Sequence, residues 1–406
     1  MLNRVLSICL LAPLLASTLV AQDEVDILSR TPFTPGARAA GMAGAFSAIA
    51  DDYTALYYNP AGLAGMKRME LSASGYIGFL NNDADIGPGT AAATDDSFAG
   101  LSHFGLVLPL PVYRGGVSFA LGYHRLVDFN QPYGIRVDEA QLLVEEEGGV
   151  NAWAFGFGFQ MSRRFWGGLT LELLSGEEKY LFTAETPTTE EREFSHLSLT
   201  GFRVTVGSMF HLSRQLRLAL QLRTPVKYNF AWEDYQYVLI QNGQVVEEDD
   251  RLGYDYKLYI PFELTVATAW RGRWFALDGE VSFTDWSQAQ YNEYFEDDFY
   301  EANRALDRQY EPRLGMRLGG EYNLPTTDLV LRAGVAHYPF AGPREEITPR
   351  YLITGGVGYL IDQVVDLNLA VGYEVADFEF DSGDDTIHEN RSSLLLRLGF
   401  YYRFQP

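Results

Sequence analysis

Charged residues recur at alternate positions along apolar segments of this sequence, and they are the side chains most able to do chemistry. A carboxylate and a guanidinium in an enclosed space form an ion pair, and a guanidinium can also bind a ligand carboxylate through two parallel hydrogen bonds. The residues with this spacing are Glu172, Arg217, Arg223, Asp278, Glu280, Arg313, Arg317, Glu321, Arg332 and Arg397. The pattern first predicts a polar interior with paired charges, and second a carboxylate-binding arginine among them.

The motifs of common enzymes and metal sites do not occur. The six histidines have no metal-ligand spacing, and there is no Gly-x-Ser-x-Gly nucleophile elbow. Asp285 and Ser287 are of catalytic type and flank Trp286, but Trp286 fits the aromatic girdle of a membrane protein and its neighbours the start of a loop. The sequence therefore predicts no enzymatic activity, no metal and no cofactor.

Composition favours β-structure and excludes one class of partner. Tyr, Phe and Trp make up 14% of the 406 residues, and there are 39 glycines, a bias toward strands and close backbone packing. The formal net charge of −23 argues against a nucleic-acid partner, because phosphates require clustered Lys and Arg.

The first 21 residues predict a signal peptide. Arg4 is followed by an apolar segment that ends in Ala21, which matches a basic region, a hydrophobic region and a small residue at the cleavage site. The only cysteine, Cys9, lies in this segment, so the mature chain is expected to have no disulfide.

The rest of the chain alternates apolar and polar side chains with a period of two. Trp153, Phe155, Phe157 and Phe159, for example, alternate with small or polar residues. The wall of a transmembrane barrel has this pattern because its side chains face lipid and lumen in turn. After residue 21, the sequence contains no stretch of 18 apolar residues, which is about the length that a membrane helix needs. Fourteen candidate strands begin near residues 69, 100, 115, 152, 167, 198, 215, 259, 273, 312, 328, 351, 366 and 392.

The connections between these strands alternate between long and short, as they do in outer-membrane barrels. Acidic runs such as Glu145–Glu147 and Glu247–Asp250 fall in the predicted long loops, whereas arginines such as Arg114 and Arg273 fall in the short ones. The sequence therefore predicts an all-β fold, a transmembrane antiparallel β-barrel of about 14 strands formed by residues 69–406.

Residues 22–68 do not alternate. They are rich in Ala and Gly and end in the turn-forming sequence Asn59, Pro60, Ala61 and Gly62. This segment resembles the start of the FadL/TodX family of outer-membrane transporters, in which it folds as a hatch inside the barrel. It is also similar to the start of PorV-type barrels, which belong to a protein secretion system.

Four further segments resemble landmarks of the FadL family in the right order, and they favour that family over PorV. They are Leu222–Tyr228 with Arg223 and Pro225, Ile260–Pro261, Phe283–Ser287 with Asp285, Trp286 and Ser287, and Leu331–Gly334. In FadL-type barrels a lateral opening comes from a kink in the third strand. Here only Gly122 could cause such a kink, and the sequence does not place the opening. It provides no motif for the ligand-binding residues, which stay unknown.

The aromatic last strand resembles the signal that the barrel-assembly machinery recognises during biogenesis. Together with the hatch at residues 22–68, the resemblance implies passive uptake of hydrophobic small molecules, such as long-chain fatty acids or aromatic hydrocarbons, across an outer membrane of lipid and lipopolysaccharide. The alternative that the sequence leaves open is a PorV-like scaffold for secretion. The substrate and the oligomeric state are not determined.

Overall fold

The chain folds into a closed antiparallel β-barrel. The computed structural model describes residue 28 and residues 33–85, 91–130, 133–137, 140–251, 255–292, 296–339, 349–382 and 385–404. Consecutive wall strands pair antiparallel, and the last strand pairs with the first along the full length of the first, which closes the sheet. The predicted all-β barrel of fourteen strands is thus confirmed.

The fourteen wall strands are built from nineteen strand elements in the described residues. They are β1 (Glu70–Asp85), β2 (Ala91–Leu110), β3 (Val117–Asp128), β4 (Tyr133–Val137), β5 (Ala140–Gln160), β6 (Phe165–Glu185), β7 (Thr189–His211), β8 (Leu216–Arg223), β9 (Val226–Gln241), β10 (Gln244–Arg251), β11 (Asp255–Ile260), β12 (Glu263–Arg271), β13 (Phe275–Asp285), β14 (Gln290–Asn292), β15 (Pro312–Asn323), β16 (Leu329–Pro339), β17 (Pro349–Ile361), β18 (Val365–Ser382) and β19 (Asp385–Arg403). Three wall strands are each made of two elements, β8 with β9, β11 with β12, and β13 with β14, while β4 and β10 extend hairpins.

Among the described residues the helices are few, and one of them interrupts the wall strand formed by β13 and β14. They are α1 (Ala37–Ala40), α2 (Ala55–Tyr58), α3 (Glu296–Gln309) and two 3-10 helices, Pro60–Gly65 and Trp286–Gln288. Among the described residues, none of the helices has the length and apolar character to cross a membrane.

The two faces of the wall differ in the way that the period of two predicts. On β8, Leu218 and Leu222 are 39% and 40% exposed, whereas Ala219 between them is 1% exposed. Large exposed apolar side chains recur in the same way on the other wall strands. The outer face therefore presents an apolar belt, and the inner face carries the small and charged residues.

One end of the barrel, the long-loop end, extends well beyond the apolar belt. The long loops are shorter than the sequence predicted, because Glu145–Glu147 lie in β5 and Glu247–Asp250 lie in β10. Asn242 and Gly243 at the tip of the β9–β10 hairpin have φ values of 50° and 75°, which is typical of a tight Asn-Gly turn. Strands with water on both faces need no apolar alternation, which is why the pattern did not reveal them.

Residues 33–66, which we call the N-terminal segment, precede β1 and form α1, α2 and the first 3-10 helix. Every residue of this segment is buried except Asp51 and Gly65, which are half-buried. The predicted signal peptide, residues 1–21, lies outside the described residues, and of residues 22–32 only Leu28 is described.

Candidate functional site

Glycines on the inner face of the wall lie directly against the N-terminal segment. A Cβ atom on Gly168 would lie 2.2 Å from the carbonyl carbon of Pro60, and one on Gly334 would lie 2.3 Å from that of Met42. Other glycines whose Cβ would come within 3.0 Å of the segment are Gly105, Gly116, Gly122, Gly156, Gly158, Gly207 and Gly319. Because such contacts come from β2, β3, β5, β6, β7, β15 and β16, the segment fits closely against seven of the fourteen wall strands.

Polar side chains of the wall bind the backbone of the N-terminal segment. Gln221 and Arg223 donate hydrogen bonds to the carbonyl of Tyr57 at 2.6 and 3.0 Å, and Thr170 donates to the carbonyl of Leu56 at 3.0 Å. Similar bonds join Ser118 to Met66, Tyr338 to Ala43, Thr354 to Gly41, Glu280 to Ser47 and Asp278 to Ala48. They satisfy buried peptide groups that no regular ladder could satisfy.

An ion-pair network links the N-terminal segment to the wall. The guanidinium of Arg38 lies 2.5 Å from Asp51 and 2.9 Å from Glu321, and Glu321 also contacts Arg332 at 3.4 Å. The second oxygen of Asp51 accepts from Arg271 at 2.9 Å. Burial raises the pKa of Asp51, but Arg38 and Arg271 outweigh burial and hold that pKa well below its usual range. The carboxylate therefore stays charged at neutral pH and keeps the network intact.

The four residues Asn59, Pro60, Ala61 and Gly62 form a buried turn held by two side-chain hydrogen bonds. The side chain of Asn59 accepts from the amide of Ala61 at 3.1 Å and donates to the carbonyl of Ser208 at 3.1 Å. Pro60 is the first residue of the 3-10 helix. A Cβ on Gly62 would lie 2.0 Å from the carbonyl oxygen of Ala50, so only glycine fits there. The turn is therefore fixed both to the wall and to the rest of the segment.

A cavity of about 150 Å³ lies between Tyr57 of the N-terminal segment and the wall. Its charged lining consists of Arg203, Arg223, Glu263, Arg313, Arg317 and Arg350. Its apolar lining includes Leu28, Leu126, Val127, Val226, Ile260 and Trp286. Five guanidinium groups beside one carboxylate and a set of apolar side chains give the cavity an amphipathic, net basic character.

Most of these arginines also form close ion pairs. Arg203 binds both oxygens of Glu172 at 2.6 and 2.9 Å, and Arg223 lies 2.5 Å from Glu263. Arg317 bonds to Glu280 and to the hydroxyl of Tyr338. The predicted pairing of inward-facing charges is present at these positions.

Arg313 and Arg350 form longer ion pairs. Their guanidinium groups lie 3.7 Å from Glu311 and 4.0 Å from Glu374.

The family landmarks converge on this cavity more closely than the sequence suggested. Arg223 and Trp286 line it, and Pro225 separates β8 from β9 next to it. The prediction that Trp286 belongs to the aromatic girdle is wrong, because its side chain is half-buried against the core and lines the cavity. The hydroxyl of Ser287 donates to Asp285 at 2.7 Å within a local turn.

Sequence reasoning missed several residues of the site. Arg203 was missed, although it lies opposite the predicted inward-facing Glu172 in the β6–β7 ladder, so the register of the hairpin could have revealed it. His124, which contacts Glu172 at 3.0 Å, was not assigned to this cluster either. Arg38 and Asp51 lie in a segment without periodicity and gave no signal. In the described part of the chain, no group of three or more His, Cys, Asp or Glu is placed to hold a metal ion.

Comparison with known proteins yields a family and a fold. The family model described as BamG matches residues 33–330, and no curated protein matches the chain. A Pseudomonas aeruginosa FadL homologue is 14% identical, with 92% of this chain and 100% of that chain covered and a TM-score of 0.66.

Two hydrocarbon channels have the same fold. The Pseudomonas putida toluene transporter TodX is 12% identical, with 92% and 100% coverage and a TM-score of 0.65. The monoaromatic hydrocarbon channel CymD is 14% identical, with 92% and 98% coverage and a TM-score of 0.61. At these identities the likeness establishes a FadL/TodX-type barrel fold, and it lends no support to the PorV resemblance.

Proposed function

The chain belongs to the BamG family, and because its barrel has the fold of hydrophobic-compound channels, we propose that it takes up hydrophobic small molecules passively across the bacterial outer membrane. The observation that carries the proposal is the cavity beside Tyr57, where apolar side chains meet five arginines. The carboxylate end of a long-chain fatty acid matches the charged part of this lining and the adjoining part of its alkyl chain matches the apolar part, while aromatic hydrocarbons match the apolar part.

The outer face of the wall supports the membrane location. The apolar belt is the surface that a lipid bilayer requires, whereas the acidic strand extensions at the long-loop end suit water. That end would face the cell exterior, and outer-membrane lipid and lipopolysaccharide would surround the belt. The signal peptide at residues 1–21 would direct export before the barrel forms.

The hatch predicted at residues 22–68 includes the N-terminal segment, which would close the channel. The 3-10 helix Pro60–Gly65 lies at the short-turn end, where a Cβ on Gly116 would lie 2.1 Å from the carbonyl oxygen of Ala64 and one on Gly65 would lie 2.8 Å from Trp166. A ligand in the cavity would therefore meet a closed floor. Asn59, Pro60, Ala61 and Gly62 would form the gate within it.

The arginines would bind the anionic end of a ligand in the cavity. A guanidinium binds a carboxylate through two charge-assisted hydrogen bonds in a fixed geometry. Arg313 and Arg350, which line the cavity, would provide these bonds.

The closing strand supports recognition during biogenesis. Aromatic and leucine side chains alternate along β19, which pairs with β1, and the amide of Phe404 just beyond it donates to the carbonyl of Met69 at 2.9 Å. We propose that the barrel-assembly machinery recognises this strand while the barrel closes.

The test measures uptake of labelled oleate and labelled toluene by cells with the gene, without it, and with the variant Arg313→Leu/Arg350→Leu. Gene-dependent uptake of both compounds is expected. Loss of the two arginines should weaken oleate binding about tenfold, which corresponds to about 1.4 kcal/mol, and leave toluene unaffected because toluene has no charge.

Glu248→Gln, an exposed position on β10, is the matched control and should behave as the parent protein. Mass spectrometry of lipophilic molecules retained through purification tests independently whether the barrel binds a hydrophobic ligand. An empty barrel, gene-independent uptake and a co-purifying protein complex would overturn transport and favour the secretion scaffold.

A further inference from the structure

The short turns on one side of the barrel carry arginines and no acidic residue. Four consecutive short turns, which we call the basic rim, consist of residues 111–116, 161–164, 212–215 and 272–274. Their charged residues are Arg114, Arg163, Arg164, Arg214 and Arg273. Because the chain as a whole has a formal net charge of −23, turns with only positive charge are a local departure from its composition.

Backbone hydrogen bonds join these turns into one continuous edge. In each bond, an amide at the end of one wall strand donates at 2.8 Å to a carbonyl of the neighbouring turn, and the bonds run from Gln160 to Gly116, from His211 to Arg164 and from Arg271 to Gln215. Neighbouring turns are two strands apart, which is about 10 Å. The wall therefore fixes the arginines in a row along the short-turn end.

The guanidinium groups of the basic rim are available to a ligand. All five arginines are exposed, and within the part of the chain that the structure describes none of them forms an ion pair. Arg271, which ends β12 beside the rim, differs because it is paired with Asp51 at 2.9 Å. An exposed guanidinium binds a phosphate group through two parallel charge-assisted hydrogen bonds.

Each turn of the basic rim also exposes a large apolar side chain. These side chains are Tyr113, Met161, Leu212 and Trp274, and the guanidinium of Arg273 lies 4.7 Å from the centroid of the Trp274 ring. The apolar belt continues up to them, since the adjoining strand ends expose Leu110, Phe210 and Phe275. Apolar and aromatic side chains next to cationic ones are typical of the level of lipid headgroups.

Two further short turns differ in charge. Residues 324–328, between β15 and β16, and residues 362–364, between β17 and β18, have Asp328 and Asp362 as their only charged residues. Both aspartates are exposed. Arg68 lies beside the second of these turns, but its guanidinium donates to the carbonyl of Gln363 at 2.8 Å. Available positive charge is thus concentrated along the strands from β2 to β13.

We propose that the basic rim binds the headgroups of anionic phospholipids in the periplasmic leaflet of the outer membrane. The inference rests on the orientation given under the proposed function, in which the short turns face the periplasm. The guanidinium groups match the lipid phosphate, and the apolar side chains beside them match the acyl chains. An acidic protein would need only the charge, whereas continuity of each turn with the apolar belt favours a lipid. Anionic lipid would gather along one side of the barrel.

The experiment measures both lipid preference and position on the barrel. The purified protein is placed in phosphatidylcholine vesicles with a small fraction of photoreactive phosphatidylglycerol or photoreactive phosphatidylcholine, each with its reactive group close to the headgroup. Labelled residues are identified by mass spectrometry. We expect the phosphatidylglycerol probe to label Tyr113, Met161 and Trp274 and to spare residues 324–328 and 362–364. The phosphatidylcholine probe should show no such preference.

The loss variant is Arg163→Gln/Arg164→Gln/Arg214→Gln/Arg273→Gln. Each arginine near an anionic headgroup adds to the attraction, so the excess of phosphatidylglycerol label on the rim should fall about tenfold. Lysine at the same four positions keeps the charge and should restore most of the label, which separates lipid attraction from an effect on folding.

The matched control removes four exposed positive charges from the long-loop half of the protein. It is Arg192→Gln/Lys227→Gln/Arg304→Gln/Arg308→Gln, and it should leave the label on the rim unchanged. Asp328→Lys/Asp362→Lys is a gain variant, which should create label at residues 324–328 and 362–364. The gain variant keeps the test decisive if the loss variant fails to fold.

Equal labelling by the two probes, label spread evenly around the short-turn end, or a folded loss variant that keeps its label would overturn the proposal. A co-purifying acidic protein that the loss variant no longer retains, without a preference for phosphatidylglycerol, would overturn the lipid as the occupant. Oleate uptake is measured separately. Gene-dependent uptake without lipid preference refutes the basic rim and leaves transport standing, whereas lipid preference without gene-dependent uptake supports the rim and refutes transport.

Discussion

The interface between the N-terminal segment and the wall contrasts with the wall at Pro225, Pro261 and Trp286. At the interface, glycines permit backbone contact and wall side chains satisfy peptide groups of the segment. At the second site, three neighbouring strands lose their pairing at one height, and a cavity adjoins the break. Among the described residues, the N-terminal segment is therefore closely packed against the wall, whereas the ladder of the wall itself is interrupted at this height.

The largest expected effect comes from breaking the ion-pair network of the interface. Glu321→Gln removes the carboxylate between Arg38 and Arg332, so that the buried guanidinium of Arg332 loses the carboxylate it contacts, while Arg38 keeps Asp51. Removal of one partner of a buried ion pair costs about 3–5 kcal/mol. Urea unfolding in detergent should show this loss, and planar-bilayer recordings should show higher ion conductance because the segment is loosened.

The control for Glu321→Gln is Glu190→Gln, which removes the partner of Arg192, a side chain that is 59% exposed. An exposed pair contributes about 0–1 kcal/mol. Equal unfolding midpoints for the two variants would contradict the importance of the buried network.

A smaller loss is expected when the close contact at a wall glycine is filled. Gly168→Ala places a Cβ 2.2 Å from the carbonyl carbon of Pro60, whereas Gly355→Ala meets its nearest atom at 3.9 Å. Overpacking of this kind costs about 1–3 kcal/mol. The Gly168 variant should unfold at lower urea concentration than the parent, and the Gly355 variant should not. If the Gly355 variant unfolded at lower urea concentration than the Gly168 variant, the backbone at Pro60 would be shown to shift at little cost in stability.

The smallest effect is expected at the turn of the proposed gate. Asn59→Ala removes the acceptor for the Ala61 amide, and loss of such a cap costs about 1 kcal/mol. Asn59→Asp keeps this acceptor but cannot donate to the Ser208 carbonyl. Hydrogen exchange of the Ala61 amide should increase for Asn59→Ala and much less for Asn59→Asp. Equal exchange in both variants would assign the stability of the turn to Pro60 rather than to the cap.

The wall strands could be predicted because the pattern that defines them lies within short stretches of the sequence. A lipid-facing belt requires apolar side chains at every second position, so sequence alone located fourteen strands, their alternating connections and the inner face that carries Glu172, Arg223 and Glu321. The strand extensions beyond the belt, such as β10, escaped prediction because strands in water on both faces do not need this alternation.

The small-residue composition of the N-terminal segment and the Asn-Pro turn were also evident in the sequence, as were the landmarks around Arg223, Pro225 and Trp286. Only the tertiary structure decided what these residues contact. Arg38 meets Glu321 across 283 positions of sequence, and Pro225 faces Pro261 only because the register of two separate ladders coincides. Such contacts depend on closure of the barrel, which places distant strands and the segment in one enclosed space, and no local pattern encodes that closure.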